Sequence, residues 1–530
     1  MASTQTPPPY MTSDQKSFAC VTATKRWPVI ITGIINDVHI TVGNLKMEAK
    51  KQQEAGQTVD AELLEKTEEL QAIQSKIGAL NTEVQRNKPM TAPCQTQRKE
   101  PRGQTLRHKP SLTCWQPTRP VEDDGFEDIA LYNKEIDALK NEANNADGKS
   151  PELYARWHHA PWLFTECYLF RRINSFFMQS KHWKSYDVFA RQKNSAFRSS
   201  RPAVLELATR YTDLMAQLSA RAAAKTPIDP DAERILFSEM AEICLWGNAT
   251  DLSLLTSLTY EDLQKLQGSE ARKKSEANIL VNHLPRAFDL LHAAQAAGQK
   301  DRRVDIVLDN AGFELYVDLV LAGYLLASGL ATEVILHPKS MPWFVSDVLP
   351  SDFASLLSAV ANPTSFFEAP DEMAAEPRAV VPLTAAEKDV LAAVFASWSQ
   401  FHANGQLVIR PHRFWTHGSS FAALRTEAPD LHADLATSEL VVFKGDLNYR
   451  KLTSDLEWDP TTPFTTALGP LGPGSGINVL ALRTCKADVV VGLPAGKDEE
   501  LRAKTGSGED KGREWCWNGK WAVVQLSVGK

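Results

Sequence analysis

Hydrophobic and polar positions in the first part of the chain follow a helical period. Residues 46–87 are rich in Glu, Lys, Gln and Ala, and their apolar residues recur at heptad spacing, at Leu63, Leu70, Ile73, Ile77, Leu80 and Val84. This spacing predicts an amphipathic helix. A coiled coil with a partner normally needs at least three or four sustained heptads, so we favour a helix that packs on its own domain over a partner-binding coiled coil.

Helical spacing resumes over residues 127–275, but residues 89–120 interrupt it with six prolines and six Lys or Arg against one Glu. Such a stretch, without a hydrophobic period, predicts a flexible loop. We therefore expect a disordered tail over residues 1–18 and a helical N-terminal part over residues 19–300 that contains this basic, Pro-rich insertion. The insertion is either a lineage-specific loop or translated intron sequence.

The pattern changes after about residue 300, where short apolar runs alternate with helical segments. The runs are VDIVLDN (304–310), EVILHP (333–338), LVIR (407–410), ELVVFKGD (439–446), INVLALRTCK (477–486) and AVVQLSV (522–528). Continuous apolar strands that alternate with helices indicate a parallel sheet that is buried on both faces. The predicted fold class is α/β: a helical N-terminal part packed on a three-layer α/β/α domain, residues 301–530, with a mostly parallel sheet.

Composition narrows the class of protein. The chain has 530 residues, a formal net charge of −7, 43% hydrophobic residues and 23% charged residues. These values exclude a wholly disordered or collagen-like chain and carry no electrostatic signature of nucleic-acid binding. The seven cysteines form no CxxC pair, and the longest apolar stretch, Leu319–Ala331, is too short to span a bilayer. We expect no membrane segment and a reducing compartment, the cytoplasm, with the nucleus as an alternative.

Polar groups follow four of the predicted strands, where ligands bind in parallel sheets. Asp309 and Asn310 close the first strand, and Asp347 lies a short loop after the second. Their oxygen ligands could hold Mg²⁺ or Mn²⁺. Later strand ends supply groups for a phosphate, namely Asn448, Arg450, Arg483 and Lys486. A metal with nearby cations suits phosphoryl transfer, whereas each group taken singly is also explained by a helix cap or a turn.

Longer motifs make the chain recognisable. VLDNAGFELYVDLVLAGYLL (307–326), PWFVSDV (342–348), VFKGDLNYRKLTSD (442–455) and ALRTCK (481–486) together resemble the damage-control phosphatase family. The match is to its subfamily III, whose members have also been described as acidic-residue methyltransferases. WHHAPWLFTECYLFRRI (157–173) and LWGNATDLSLL (245–255) are similar to the helical part of that subfamily. The resemblance covers about residues 18–88 and 121–530.

The resemblance implies a metal-dependent phosphatase for small phosphorylated metabolites, with sugar phosphates such as fructose 1-phosphate and fructose 6-phosphate as substrates. By that likeness, Asp309, Asn310 and Asp347 hold Mn²⁺, Co²⁺ or Ni²⁺. The implied substrate-binding residues are Asp309, Asn310, Asp446, Leu447, Asn448, Tyr449, Arg450 and Lys486, and the implied catalytic residues are Asp309, Asn310 and Lys486. Whether Asp309 is a nucleophile or only a ligand stays open.

Two further functions are compatible with the sequence. One is S-adenosylmethionine-dependent O-methylation of protein glutamate, and the second is that of an interaction protein that acts through the heptad helix and residues 89–120. Asn248 and Asp251 either border the site or cap a helix. Glu166, Arg171 and Arg172 either reach over the cleft or serve the structure, and the structural role is favoured.

Overall fold

The computed structural model describes residues 6–88, 90, 128–146, 155–224, 229–247, 277–371, 373, 381–505 and 513–530. Outside these residues lie the predicted insertion (apart from residue 90), Asn248 and Asp251, and residues 248–275 of the stretch with predicted helical spacing. The chain divides into two compact units, a helical unit of residues 22–188 and an α/β unit of residues 1–21 and 189–530. The helical part is therefore shorter than the predicted 19–300.

The helical unit begins with a π-helical turn at Thr22–Arg26. Its helices are α1 (Trp27–Glu54), α2 (Ala61–Gln85), α3 (Asp128–Ala146) and α4 (Trp162–Met178). Helix α2 starts at Asp60, whose side chain accepts a hydrogen bond from Glu62 N, as a helix N-cap does. The heptad positions of α2 are all buried, and α2 packs against α1. The heptad pattern thus serves the packing of this unit.

The continuous helical stretch Phe18–Glu54 is long and apolar enough to pass a length-and-hydropathy test for a membrane span, and 33% of its most apolar window is buried. Its buried residues include Ile31, Ile34 and Val38. The core helix of a soluble protein and a signal sequence near the N-terminus are often as long and apolar as this stretch, so the absence of a membrane segment stays a prediction.

Polar groups of α4 bind partners inside the helical unit. Arg171 Nε donates to Asp128 Oδ2 at 2.8 Å, and Arg172 Nη1 donates to Glu83 Oε2 at 2.6 Å. Glu166 Oε1 accepts from the Trp27 indole at 3.2 Å. These contacts support the structural role of Glu166, Arg171 and Arg172.

Within the described residues of the α/β unit, seven strands form one sheet. They are β1 (Ile279–Asn282), β2 (Arg303–Val307), β3 (Glu333–His337), β4 (Leu407–Ile409), β5 (Leu440–Lys444), β6 (Val479–Thr484) and β7 (Ala522–Ser527). Their order is β1-β7-β6-β5-β2-β3-β4, and every described pair is parallel except β6 with β7. The mostly parallel sheet is confirmed.

The longer helices of this unit are α5 (Ala190–Ser199), α6 (Arg201–Ala224), α7 (Pro230–Trp246), α8 (Leu284–Ala296), α9 (Phe313–Ala327), α10 (Pro350–Ala361), α11 (Ala385–Ala403), α12 (Gly445–Leu452) and α13 (Lys497–Thr505). Shorter helices are Phe18–Val21, Pro363–Phe367, Leu424–Glu427, Pro429–Leu435 and Phe464–Ala467. Helices α6 and α7 pack on α9, which explains why they belong to this unit and not to the helical one.

Both faces of the central strands are buried. Val304 and Ile306 of β2 join an apolar cluster that includes residues of α6, α7 and α9. On the other face, the Phe443 ring of β5 lies 5.5 Å from the Phe421 ring and 6.2 Å from the Trp415 ring. This two-sided burial produces the uninterrupted apolar runs in the sequence. The sequence pattern does not predict β1, which has only four residues. Among the described strands it pairs only with β7, at the far end of the chain, and a local pattern does not reveal such a partner.

The predicted disordered tail differs from the structure over residues 6–18. Pro9 forms an antiparallel bridge with Leu456, and Tyr10 N donates to Asp455 O at 3.2 Å. Tyr10 and Ser17 are buried. The segment is low in regular structure but has partners for its apolar and polar groups, which composition alone does not show.

Candidate active site

The candidate site begins where β2 ends and the chain turns into α9. Gly312, with φ +72°, allows this tight turn, since non-glycine residues rarely adopt such angles. The turn pairs with the loop after β3: Val348 N donates to Asp309 O at 2.9 Å, and Ala311 N donates to Ser346 O at 2.7 Å. An antiparallel bridge between Asn310 and Asp347 completes the pairing. The three predicted metal ligands are therefore brought together.

The loop that carries Asp347 contains two residues in an uncommon backbone region. Phe344 has φ +43° and Val345 has φ +73°, values that are unfavourable for a β-branched side chain. Strained backbone of this kind is concentrated at functional sites. Here it accompanies the turn that brings Asp347 to Asn310.

Asp309 and Asp347 are acidic groups in a poorly solvated place. Burial raises the pKa of Asp309 well above its ordinary value, and the carboxylates of Glu314 and Asp347 raise it further. Burial also raises the pKa of Asp347, although Lys339 opposes the shift. Lys339 Nζ donates to Leu308 O at 2.7 Å and forms a buried ion pair with Asp347 Oδ2 at 3.0 Å.

The second half of the site comes from the ends of β5 and β6. Gly445, with φ +81°, passes so close to Asp309 that a Cβ there would overlap the Asp309 carboxylate. The next residue, Asp446, accepts through Oδ1 from Arg483 Nε and from the backbone N–H of Lys486, both at 2.8 Å. Asp446 thus holds the segment that carries Lys486 against the start of α12.

These two halves line one cleft. Its lining residues are Leu245, Asp309, Glu314, Gly445, Asp446, Leu482, Thr484 and Lys486. Lys486 is close enough to lower the pKa of Asp309, against the larger effects of burial and the neighbouring acids. The cleft therefore joins buried carboxylates on one side to an ammonium group on the other.

Sequence reasoning missed a buried ion network beneath the cleft. Asn310 Nδ2 donates to Glu314 Oε2 at 2.7 Å, and Lys444 Nζ lies 3.2 Å from the other Glu314 oxygen. Lys444 Nζ also donates to Asp318 Oδ1 at 2.8 Å and to Cys244 O at 2.9 Å. A signal was present, because Glu314 and Asp318 are spaced i,i+4 on the otherwise apolar α9, and buried charges require partners.

Four predicted substrate-binding residues of α12 do not line the cleft. Leu447 is buried, and Asn448 Nδ2 donates to the carbonyls of Lys444, Leu308 and Val307. The Tyr449 hydroxyl donates to Gln525 Oε1 at 2.8 Å, and Arg450 pairs with Asp455 at 2.8 Å. Arg483, also expected at a phosphate, binds the Ala487 and Val489 carbonyls and Asp446. A motif places residues in a segment, but only the helix geometry decides which side chains face the cleft.

The donor set fits a divalent cation. No cluster of three His, Cys, Asp or Glu with metal-binding geometry occurs among the described residues, but Asp309, Asn310 and Asp347 combine two carboxylates with an amide. These are the oxygen ligands that hard divalent cations prefer. Burial raises the pKa of Asp309 most, and the carboxylates of Glu314 and Asp347 raise it further; a cation would relieve the repulsion among these carboxylates.

The chain matches the family model of the damage-control phosphatase ARMT1-like domain over residues 22–501. It belongs to this family. Damage-control phosphatase ARMT1 of Danio rerio is 32% identical over 514 residues, which cover 96% of this chain and 95% of that protein. The Xenopus laevis protein of the same name is 35% identical over 416 residues, 78% of this chain and 83% of its own. The Homo sapiens protein is 33% identical over 402 residues, 76% and 80%.

The damage-control phosphatase ARMT1-like family model begins at residue 22 and so spans most of both compact units. A solved DUF89 family protein from Pyrococcus horikoshii covers 77% of this chain and 94% of its own at 12% identity, with a TM-score of 0.32. At that score the likeness carries no structural argument.

Proposed function

We propose that this chain is a metal-dependent phosphatase that acts on small phosphorylated metabolites, with sugar phosphates such as fructose 1-phosphate and fructose 6-phosphate as substrates. Membership of the damage-control phosphatase ARMT1-like family supports hydrolysis of phosphate esters. The observation that carries the proposal is the meeting of Asp309, Asn310 and Asp347, of which Asp309 lines one cleft together with Lys486.

Asp309, Asn310 and Asp347 would hold the metal, for which we propose Mn²⁺, Co²⁺ or Ni²⁺. When bound, such an ion supplies Lewis-acid polarisation of a phosphoryl oxygen. The chain's own contribution is charge and position. Lys486 places an ammonium group beside the phosphoryl oxygens, where negative charge is stabilised during transfer. Asp446 fixes the backbone of Lys486, so that this charge is oriented before substrate arrives.

Asp309 has two possible roles in this scheme. As a ligand only, it leaves attack on phosphorus to water. As a nucleophile, one carboxylate oxygen bonds to phosphorus, the ester oxygen leaves, and water then cleaves the aspartyl phosphate. Acid quenching during turnover distinguishes the two, because only the second leaves a phosphoryl group on the protein.

The proposal is tested by phosphate release across a panel of sugar phosphates with Mn²⁺, Co²⁺, Ni²⁺ or Mg²⁺. We expect release to stop when a chelator is added, and Asp309→Ala to be folded but inactive. The matched control is Asp301→Ala, since Asp301 is exposed and precedes the opposite end of β2. Full activity in Asp309→Ala would overturn the proposal.

We propose the cytoplasm, with the nucleus as the alternative, as the compartment. The cysteines of the described residues form no disulfide with one another, which supports a reducing environment; they are Cys20, Cys167, Cys244, Cys485 and Cys516. Microscopy of the tagged chain tests this, and accumulation in the secretory pathway would contradict it.

A further inference from the structure

The N-terminal arm, residues 8–18, contacts two loops that extend the cleft-lining segments. The first loop follows α12, the helix that carries Asp446. Besides the Pro9–Leu456 bridge, Glu457 N donates to Pro8 O at 2.8 Å. The second loop follows Lys486 at the end of β6. The arm therefore contacts the chain directly downstream of both cleft-lining segments.

The contact with the second loop is made through Asp488, two residues after Lys486. Asp488 is buried, and its Oδ2 accepts from the Ser17 hydroxyl at 2.8 Å and from Phe18 N at 2.9 Å. Ser17 Oγ in turn accepts from Ala19 N at 3.0 Å, as the cap of the short helix Phe18–Val21. One serine thus both starts this helix and binds the loop.

The segment around Lys486 is held from several sides. Arg483 donates to the carbonyls of Ala487 and Val489, and Asp446 accepts from the Lys486 backbone N–H. On the other side, Cys485 N donates to Trp521 O at 2.8 Å, and the Phe18 ring stacks on the Trp517 ring with centroids 5.4 Å apart. The position of the Lys486 side chain therefore depends on how firmly these contacts hold the turn that carries it.

We propose that the N-terminal arm is a positioning element of the active site, and that Ser17 and Asp488 act on substrate phosphate through the turn that carries Lys486. This inference rests on the proposed function for its kinetic consequence, but its structural claim stands on the contacts alone. Among the described residues, the arm supplies both hydrogen bonds that the Asp488 carboxylate accepts, and without them the turn after Lys486 loses one of its anchors.

The kinetic test compares Ser17→Ala with Ser195→Ala in the full chain. Ser195 is a matched control, because its hydroxyl donates to Asp371 Oδ2 at 2.7 Å and neither residue lines the cleft. We expect Ser17→Ala to raise KM, and the inhibition constant of inorganic phosphate, about threefold to tenfold, the value of one hydrogen bond. We expect kcat to change less and Ser195→Ala to be unchanged. Equal effects of the two variants would overturn the proposal.

A double-mutant cycle separates positioning from general loosening. If the arm acts through Lys486, Ser17→Ala has no further effect on KM in the Lys486→Ala background, because the two changes share one path. Additive effects would contradict the proposal. Asp488→Ala is expected to resemble Ser17→Ala or exceed it, while Asp488→Asn, which keeps an acceptor oxygen, is expected to restore KM.

A readout without catalysis keeps this inference separate from the proposed function. Amide hydrogen exchange of residues 484–489 is expected to be faster in Ser17→Ala than in the wild type, and unchanged in Ser195→Ala. Unchanged exchange in Ser17→Ala overturns the positioning role even if the protein is an active phosphatase. Faster exchange in a protein that lacks phosphatase activity would reject the proposed function and leave the structural role in place.

Discussion

Two buried aspartates four positions apart, Asp305 in β2 and Asp309 just after it, are treated in opposite ways by the fold. Asp305 accepts from Arg303 Nη2 at 2.7 Å and from His337 Nε2 at 2.6 Å, and the Ser438 hydroxyl donates to its other oxygen. Burial opposes its ionisation, but these hydrogen bonds lower its pKa below the ordinary value. Burial and the nearby Glu314 and Asp347 instead raise the pKa of Asp309.

The difference separates a structural carboxylate from a functional one. Asp305 has its charge fully compensated by the folded chain, so it has no need of a ligand. Asp309 and Asp347 are left with more negative charge than their neighbours neutralise, which is the arrangement that a cation would complete. Ionisable groups with such incomplete compensation, placed in a cleft, are the ones expected to do chemistry.

The largest predicted effect is on the activity of a variant at the candidate metal site. Asp347→Asn keeps the shape of the side chain but removes a charged oxygen ligand, and we expect phosphatase kcat/KM to fall about 10³-fold. The free energy of unfolding of the metal-free protein is expected to fall as well, because the buried Lys339 Nζ, 3.0 Å from Asp347 Oδ2, loses its partner, so activity is measured per folded molecule. Activity per folded molecule close to that of the wild type would place Asp347 with Asp305, as a structural group.

The second prediction concerns the contribution of Asp305, the structural carboxylate, to the stability of the fold. Asp305→Asn leaves Arg303 and His337 without their buried anion, and we expect the free energy of unfolding at pH 7 to fall by about 3 kcal/mol. Since its folded pKa is lowered, the stability that Asp305 contributes is present above the unfolded value of 3.8 and is lost as pH falls through the folded pKa.

Denaturant unfolding across pH 3–7 checks this second prediction. The difference between wild type and Asp305→Asn is expected to shrink below about pH 4, while the activity of the folded variant per molecule stays near that of the wild type. A difference that does not depend on pH would show that the charge of Asp305 is not what matters.

The third and smallest predicted effect is on the activity of a variant at Glu314, which contacts both Asn310 of the candidate metal site and the buried Lys444. Glu314→Gln keeps an acceptor for Asn310 but removes the charge that faces Lys444, whose ion pair with Asp318 remains. We expect kcat/KM to fall about tenfold, the usual effect of groups that orient a ligand. Glu427→Gln is the matched control, because Glu427 binds His417 and Ser419 outside the cleft lining. Equal losses in both variants would remove any special role of Glu314.

Much of the α/β unit follows from sequence pattern because its signals are local. The runs that form β2, β3 and β5 are mainly apolar and largely buried on both faces. Asp309, Asn310 and Asp347 stand at or just beyond strand ends, where parallel sheets bind ligands. The topology predicts that these residues meet in space, and the Asn310–Asp347 bridge shows how the chain achieves it.

The other features of the site depend on contacts between segments that lie far apart in the sequence. The local pattern of apolar and polar residues does not indicate such contacts. Tyr449 and Arg450 belong to a recognisable motif, yet Gln525 and Asp455 hold their side chains away from the cleft lining. The network of Lys444 with Asp318 and Glu314 joins β5 to α9, and neither motif alone indicates the pairing. Composition predicts disorder in the N-terminal arm. It misses the ordered contacts of the arm because their partners, such as Asp488, lie far away in the sequence.

The most direct test of a cation site at Asp309 is calorimetric titration of the metal-free protein with Mn²⁺, in wild type, Asp309→Asn and Asp301→Asn. If the uncompensated carboxylates after β2 and β3 form such a site, wild type and Asp301→Asn bind one Mn²⁺ with equal affinity and Asp309→Asn binds at least about 100-fold more weakly. Binding of equal strength in all three proteins would contradict the central claim that Asp309 is a functional carboxylate at a metal site.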